Sequence, residues 1–569
     1  MLRRLTLAAD VSLGGGQWAL RALTGQIDQS RLQGQLTIHP GQVPALRAGV
    51  TLDQLVLDTL LADTSPSLPD LLGNIAADVQ LRVGAASLGG RVITELMLDT
   101  LMEPERLQLR RGEAKLDGAR IVASGQVSAG GRVADAKLEI NADDAAPIAQ
   151  WLPIAWRGQA ALWDGRLALR ADAAGPMDAL AVQLAIDLGD ARLEAQPILD
   201  LANRRLAGRM NLRHPNARRL LTGLGWLADT VGLNMPIWPG EGSFGVQAQF
   251  NLHEDQLSVD GFEMTAGTLR TSGRLGIQWQ GGQVRLGGRI MAETLPLPWL
   301  DPGSAEPLAN MWLRGWAGNL AVQADMVTLD GLQVLEGLQC VLAREAGVIQ
   351  LSGCNARLAE GAARIDASLD TSVSPLRLGM EIAIKDGRIG GVVPFGGADR
   401  GLDLRADRAD ILLSAQAVGH SPAALLASLS GPLRITARDG GWRGFDLSTA
   451  RAALGTGGTA VVLGTALQAA LTQGETPFQH LNMAADLRAG GLEIRMAQST
   501  GPHGNVAMRG RIGLDDGLLD LDATLQPARS EAPAADLPEL ALRLSGRADA
   551  PRRAFDIAAA LRWLATQPP

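Results

Sequence analysis

The sequence predicts a mainly β fold: an elongated antiparallel sheet of stacked hairpin blocks, curved into a groove or sandwich, with a few short helices. Three observations predict it. Apolar and polar residues alternate strictly over many stretches, turn sequences recur every ten to fifteen residues, and the apolar material is aliphatic. Alternation of period two is the mark of a strand with one buried and one wet face, which suits antiparallel sheet.

The strands are the clearest elements. "LRLGMEIAIKDG" puts Leu376, Leu378, Met380, Ile382 and Ile384 on one face. "LAVQLAIDLG" does the same with Leu180, Val182, Leu184 and Ile186, and "VITELMLDTL", "LEIRMAQS" and "LLDLDATLQP" repeat the pattern. "LDG", "EDQ", "LDDG" and "RAGG" are the turns of hairpins. Helical patterns are few: 143–152, 215–231, 421–431, 447–472 and 556–566. The second-last opens at Asp446, a side chain suited to capping, and 421–431 opens with Ser-Pro and closes in Gly.

A faint repeat of strand, polar step and short apolar or proline-bearing segment recurs at roughly 70 to 90 residues, as "AKLEINADDAAPIAQWLP" and "GRMNLRHPNARRLLTGLG" show. Such units cannot bury an apolar face alone and must stack on neighbours. With roughly 30 to 35 strands at about 4.8 Å spacing, one continuous sheet would run on the order of 150 Å. The expected division is a repetitive β region over 1–400 and a distinct C-terminal region over 401–569.

Composition narrows the function. The 569-residue chain is 46% hydrophobic and 20% charged, so a packed core is expected rather than disorder. Net charge is -8, there is no Tyr, and Lys occurs only at Lys115, Lys137 and Lys385. Arg and Asp alternate without forming a basic stripe, so no nucleic-acid partner is expected. The six histidines are scattered and read as exposed or loop residues. No motif holds a metal, a cofactor or a nucleophile: "GTGGTA" at 455–460 matches a dinucleotide fingerprint in letters, but a helix and not a strand precedes it. No catalytic residue is identified and no enzyme activity is expected.

Cys340 and Cys354 fit no zinc spacing. A hairpin at "REAG" brings their strands together, but Cys354 is out of phase with Ile349 and Leu351, whereas Cys340 is in phase with Leu338 and Leu342. A disulfide therefore requires a bulge at Gly353; otherwise both are buried free thiols.

The stretch "SGPLRITARDGGWRGFDL" (430–447) reads as a strand over 432–438, a hairpin turn at "DGG", and a return through "WRGFDL". It is a corner, not a phosphate cradle, since no Lys or hydroxyl is placed to hold one. Here the chain resembles the C-terminal region of the AsmA family of bacterial envelope proteins. "GHSPAALLASLSGPLRITARDGGWRGFDLSTA" (419–450) carries the resemblance, with Gly431, Asp439, Gly440, Gly444, Asp446 and Leu447. "GETPFQHLNMAADLRAGGLEIRMAQ" (474–498), with Gly474, Thr476 and Phe478, "GNVAMRGRIGLDDGLLDLDATLQP" (504–527) and "LRLSGRADAPRRAFDIAAALRWLA" (542–565) extend it, and 77–127 is similar more loosely to the family's strand blocks.

The resemblance implies outer-membrane assembly, a periplasmic β body associated with the inner membrane, and a phospholipid or other membrane lipid as partner, with envelope proteins beside it. Larger relatives such as TamB are seen as bridge-like carriers of phospholipid between inner and outer membranes. It brings no catalytic residues. An aliphatic groove could shelter acyl chains, each CH₂ contributing about 0.8 kcal/mol. Leu96, Leu98, Val182, Leu184, Met380, Ile382, Ile435 and Leu521 are the groove candidates. The rival is a structural scaffold whose apolar face closes on itself and which binds other proteins. The family's usual anchoring helix is not among these residues, and "LTLAADVSL" already alternates. The reading therefore expects an apolar helix and further strands upstream of Met1, with Leu5, Leu7 and Val11 in an incompletely paired terminal strand.

Overall fold

The computed structural model describes residues 5–27, 30–57, 75–151, 163–220, 242–280, 283–297, 301–308, 316–329, 331–390, 403–456, 459–514, 516–528, 537–548 and 551–566. Thirty strands and five bounded helices lie among them, so the fold is mainly β with few short helices, as the alternation predicts. The chain divides into two compact units, Met1–Leu286 and Gly287–Pro569.

The first unit begins with β1 (Leu5–Gly14), β2 (Gln17–Ile27), β3 (Ser30–His39) and β4 (Ala45–Val56). Then come β5 (Ala76–Leu88), β6 (Arg91–Glu103), β7 (Arg106–Leu116), β8 (Ala119–Ser128) and β9 (Arg132–Ala142). After a single helical turn, α1 (Ala146–Ala149), follow β10 (Leu167–Pro176), β11 (Leu180–Leu188), β12 (Ala191–Asp200) and β13 (Arg205–His214). β14 (Phe244–His253), β15 (Gln256–Ala266) and β16 (Leu269–Gln280) complete it. Each strand pairs with the next in sequence, so sixteen strands lie side by side over about 70 Å at the usual spacing. β1 pairs with β2 alone among the described residues, and Leu7 and Val11 on it are exposed.

One pairing departs from the expected meander of hairpins. β4 and β5 are parallel, with Leu46 opposite Ala77 and Leu52 opposite Val83. A parallel pair needs a connection that recrosses the sheet, and 19 residues separate Val56 from Ala76. Nothing in the strand pattern itself marks the direction of a partner, so periodicity could not have shown this.

The second unit opens with β17 (Gln283–Leu297), which starts at the divide, and continues with β18 (Trp316–Leu329), β19 (Leu332–Glu345) and β20 (Val348–Leu358). β21 (Gly361–Asp370), β22 (Leu376–Ile389) and β23 (Asp403–Gly419) lead to α2 (Pro422–Ser428) and β24 (Gly431–Arg443). Two helices, α3 (Leu447–Thr456) and α4 (Ala460–Ala470), precede β25 (Glu475–Arg488), β26 (Gly491–Gly501) and β27 (Gly504–Gly513). β28 (Leu518–Pro527), β29 (Leu540–Arg547), β30 (Arg552–Asp556) and α5 (Ala558–Ala565) close the chain. From β18 to β30 every successive pair is antiparallel.

The helices fall where capping residues and Pro placed them. Ser421 accepts the Ala424 N–H at 3.2 Å to start α2. Asp446 Oδ1 accepts the N–H groups of Ser448 and Thr449 at 2.8 and 3.1 Å to start α3. "GTGGTA" joins α3 to α4, and its Thr459 caps α4. The helical pattern at 215–231 lies outside the described residues beyond Leu220.

The "DGG" turn is corrected. β24 runs unbroken from Gly431 to Arg443, pairing with β23 through Gly441↔Arg405 and with β25 through Gly440↔Phe478. The glycine serves close approach rather than a turn: a Cβ on Gly440 would lie 2.2 Å from the Arg405 carbonyl oxygen and 2.4 Å from the Phe478 ring. Trp442 packs beside that ring, centroids 6.3 Å apart, and its buried Nε1 donates to Ser499 Oγ at 2.9 Å.

The condition placed on the cysteines is met. Gly353 has φ +60°, and the register of β20 against β21 shifts between Leu351 and Cys354. The bulge turns Cys354 to the face of Cys340, and the two form a disulfide. Asp366 Oδ1 accepts the Gly353 N–H at 2.9 Å and so fixes the bulge. That hydrogen bond, with one from Arg364, holds the Asp366 carboxyl below its ordinary range. His214 departs from the exposed reading: it is buried, and its Nδ1 accepts the Asn216 N–H at 2.9 Å.

Candidate functional site: a half-open aliphatic face

Cross-strand register converts the alternation into continuous rows. In the first unit, Ile140, Leu169, Ile186, Leu193, Leu212, Val246 and Met264 stand opposite one another in turn across β9 to β15. Beside it runs Leu138, Ala171, Leu184, Ala195, Met210, Ala248 and Phe262. Neither row contains a polar side chain. Every large residue in both rows is half-buried, and no described element forms a second layer over them. The buried apolar clusters in this part of the sheet lie at one edge, where the described starts of the links after β9 and β13 fold back. Ala145 and Ile148 pack there on Ala119, Ala142 and Leu167, and Ala217 and Leu220 on Phe244 and Ala266.

The opposite face is charged. Arg192 reaches Glu194 at 2.9 Å and Asp187 at 3.8 Å, all three well exposed. Such surface pairs contribute about 0–1 kcal/mol each and serve mainly to keep that face wet.

In the second unit the aliphatic face begins half-open and ends closed. Leu320, Leu342, Leu351, Ala367, Met380 and Ala415 form one row across β18 to β23. Leu351 in its middle is 37% exposed. A second row runs Ile384, Ile411, Ile435, Met483, Ala497, Met508, Ala523 and Leu542 across β22 to β29. Ile411, Ile435 and Met483 are half-buried, whereas Ala497, Met508, Ala523 and Leu542 are buried. The cover is α3, α4 and α5, whose Leu447, Leu454, Leu463, Leu467 and Ala560 join one core with β24 to β29.

The eight groove candidates divide accordingly. Leu96 and Leu98 lie half-buried on β6, and Leu96 packs on the cluster around Val83 and Ile93. Val182 and Leu184 are half-buried on β11, and Leu184 sits in the second aliphatic row. Met380 and Ile382 on β22 and Ile435 on β24 are half-buried, whereas Leu521 is in the closed core, 3% exposed.

One residue of this face was missed. Arg344 stands opposite Gly318 and Ile349, in a row that continues through Leu369, Leu378 and Ala417. It is the one charged side chain on the aliphatic face of β18 to β22 among the described residues. Its guanidinium donates from one Nη to the Trp316 carbonyl, while its Nε is buried with no partner. Burial pushes its pKa below the usual guanidinium value. The signal was in the sequence: Arg344 is in phase with Cys340 and Leu342, but the alternation of Arg with Asp elsewhere assigned all charge to the wet face.

No group of His, Cys, Asp and Glu among the described residues is arranged to hold a metal ion. None of the described helices is long and apolar enough to cross a membrane.

Fold and face together define a class: in each unit, a β sheet of mostly successive antiparallel strands with one wet face and one aliphatic face left partly uncovered by the described residues. A sequence model of the AsmA family matches residues 300–496, and that stretch is AsmA-family sequence. It includes the quoted 419–450 segment and nearly all of 474–498. No curated protein matches the chain.

Proposed function

We propose that the protein is a non-enzymatic component of the bacterial envelope that shelters or conducts phospholipid acyl chains along its aliphatic face in support of outer-membrane assembly. The observation that carries this reading is the pair of unbroken apolar rows across β9 to β15, half-buried and without a cover among the described residues. Exposed apolar area on this scale is costly in water unless something apolar occupies it. An acyl chain is long, narrow and aliphatic, and it matches a strip whose walls are Leu, Ile, Val, Met and Ala.

The AsmA-family segment and the disulfide support a periplasmic setting, since disulfides persist in oxidising compartments. Contact with the inner or outer membrane, and with envelope proteins, follows as part of the same proposal. The test is lipid capture. Protein purified and incubated with phospholipid vesicles, then separated from them, is expected to carry extractable phospholipid. Protein that retains and acquires none would overturn the reading and favour a scaffold. The closed C-terminal core favours that second reading for its own end of the chain, where the apolar rows of the described strands are buried.

A further inference from the structure

We propose that Arg344 is the headgroup site of the aliphatic face, pairing with the phosphate of a phospholipid whose acyl chains lie on Leu342, Leu351 and Met380. The inference rests on the acyl-chain reading above and adds to it where along the face a lipid is anchored, and by what chemistry.

Arg344 is half-buried, with its Nε fully enclosed. It carries five N–H donors, and taking it out of water is costly unless they find acceptors. Arg344 has one acceptor among the described residues, the Trp316 carbonyl, and no carboxylate pairs with it. The nearby connection between β17 and β18 carries Asp301 and Glu306, yet neither forms an ion pair with it. The described part of that connection, 301–308, lies at the margin where β23 ends: Leu308 N–H donates to the His420 carbonyl at 2.8 Å and Ala423 N–H to the Ser304 carbonyl at 3.1 Å.

The contrast with Arg553 is informative. It too is partly buried, but it donates to the carbonyls of Gly444 and Leu471 and ties β30 to the helical cover. Arg553 is a structural staple; Arg344 keeps an unmatched donor set. A phosphate ester supplies the missing acceptors and matches the planar fork in a bidentate manner.

Position supplies the second half. Arg344 is the penultimate residue of β19, and Trp316 is the first of β18, so both stand at one edge of the sheet. Gly318, opposite Arg344, has no side chain to occupy the space between them. The row Leu320–Leu342–Leu351 begins one side-chain step inward, about 7 Å along the strands. A polar head at Arg344 therefore leaves acyl chains to run over aliphatic rows, the arrangement of an amphiphile lying in from an edge. A Trp at the boundary between apolar body and polar rim suits the same geometry.

The test compares wild type, Arg344→Met and Arg344→Lys in the full chain. Each is incubated with vesicles containing phosphatidylglycerol or, separately, with dispersed diacylglycerol of the same acyl composition, and retained lipid is quantified. Arg344→Met is expected to retain about tenfold less phosphatidylglycerol, the loss of one charge-assisted contact, with diacylglycerol retention unchanged. Arg344→Lys, a point charge without the fork, should fall between. The lipid-free Arg344→Met protein should melt at the same temperature as wild type or higher, because a half-buried charge has been replaced by an apolar group. Equal phosphatidylglycerol retention by wild type and Arg344→Met would overturn the inference while leaving the acyl-chain reading intact. So would equal loss of both lipids, which would make Arg344 structural. Inorganic phosphate that raises the melting temperature of wild type alone, without lipid capture, would assign the site to a free anion and overturn the lipid form. Wild type that captures neither lipid removes the acyl-chain reading and this inference together.

Discussion

The sheet of β9 to β15 and the sheet of β25 to β29 have the same sequence period and opposite interiors. In the first, Ile186, Leu193 and Leu212 are half-buried, and no described helix lies over them. In the second, Leu525, Leu540 and Leu544 have no accessible surface. The difference is made by the connections. The link from β24 to β25 folds into α3 and α4, and α5 returns after β30, so three helices fill the apolar side. Among the described residues, the links after β9 and β13 contribute to clusters of five and four buried residues, against 32 in the C-terminal core. Alternation decides which face is apolar. Whether that face is covered depends on what the loops between hairpins can fold into.

The comparison can be broken by substitution, most strongly in the core. Leu542→Ala is expected to cost about 3 kcal/mol, the usual range for a fully buried leucine, whereas Leu184→Ala in the half-open row should cost about 1 kcal/mol. Urea denaturation of both variants checks this; equal losses would mean that the N-terminal rows are covered after all.

The Cys340–Cys354 bond sharpens the contrast, because it sits in the thinly packed part of the second unit. Replacing both cysteines with Ser should cost about 2–3 kcal/mol, given the short loop it closes. Limited proteolysis should then cut within β19 to β21 before it cuts the C-terminal core. Gly440→Ala probes the close packing under the helical cover, and a Cβ there must displace the Phe478 ring or the Arg405 backbone. A loss of about 1–3 kcal/mol is expected, as for overpacked cores, read as a lowered denaturation midpoint.

The smallest effect is expected at Asp446, which caps the first covering helix. Burial alone would raise its carboxyl pKa, but hydrogen bonds from Ser448 and Thr449 outweigh that and hold it below the ordinary value. A carboxyl depressed in the folded state contributes stability that is present above the unfolded value of about 3.9. That contribution disappears as pH falls through the folded value. Asp446→Ala should therefore cost about 1 kcal/mol at pH 7, and the gap to wild type should shrink under acid. Denaturation curves at neutral and acid pH would show it, and a gap that widens in acid would contradict the sign.

Much of this fold was legible because period two is a local signal. The strands around Leu184 and Met380 follow from residue spacing alone, as do the turns at "EDQ" and "RAGG". The Asp446 cap was legible for the same reason, since its donors are two and three residues away. What failed was non-local. "DGG" has the letters of a hairpin, but Gly440 is glycine because Phe478, distant in sequence, lies against it. Whether Cys354 faced Cys340 depended on a bulge held by Asp366 on the next strand. The closed state of the face at Leu521, against its half-open state at Leu184, depended on helices that lie far along the chain from both. Arg344 was legible by phase and overlooked because charge was assumed to face water.

The parallel pair β4–β5 has a consequence for how the first unit can be lengthened. In a pure meander, alternate links emerge on alternate margins, so odd and even strands finish on opposite sides. One parallel step resets the count: the ends of β4, β9 and β13 all come out on one margin. The long links after those three strands thus share a side despite the change from an even to an odd ordinal. Inserting a whole hairpin upstream would keep every later link where it is. Inserting a lone strand would send each of them to the other margin, unless a second parallel step restored the parity.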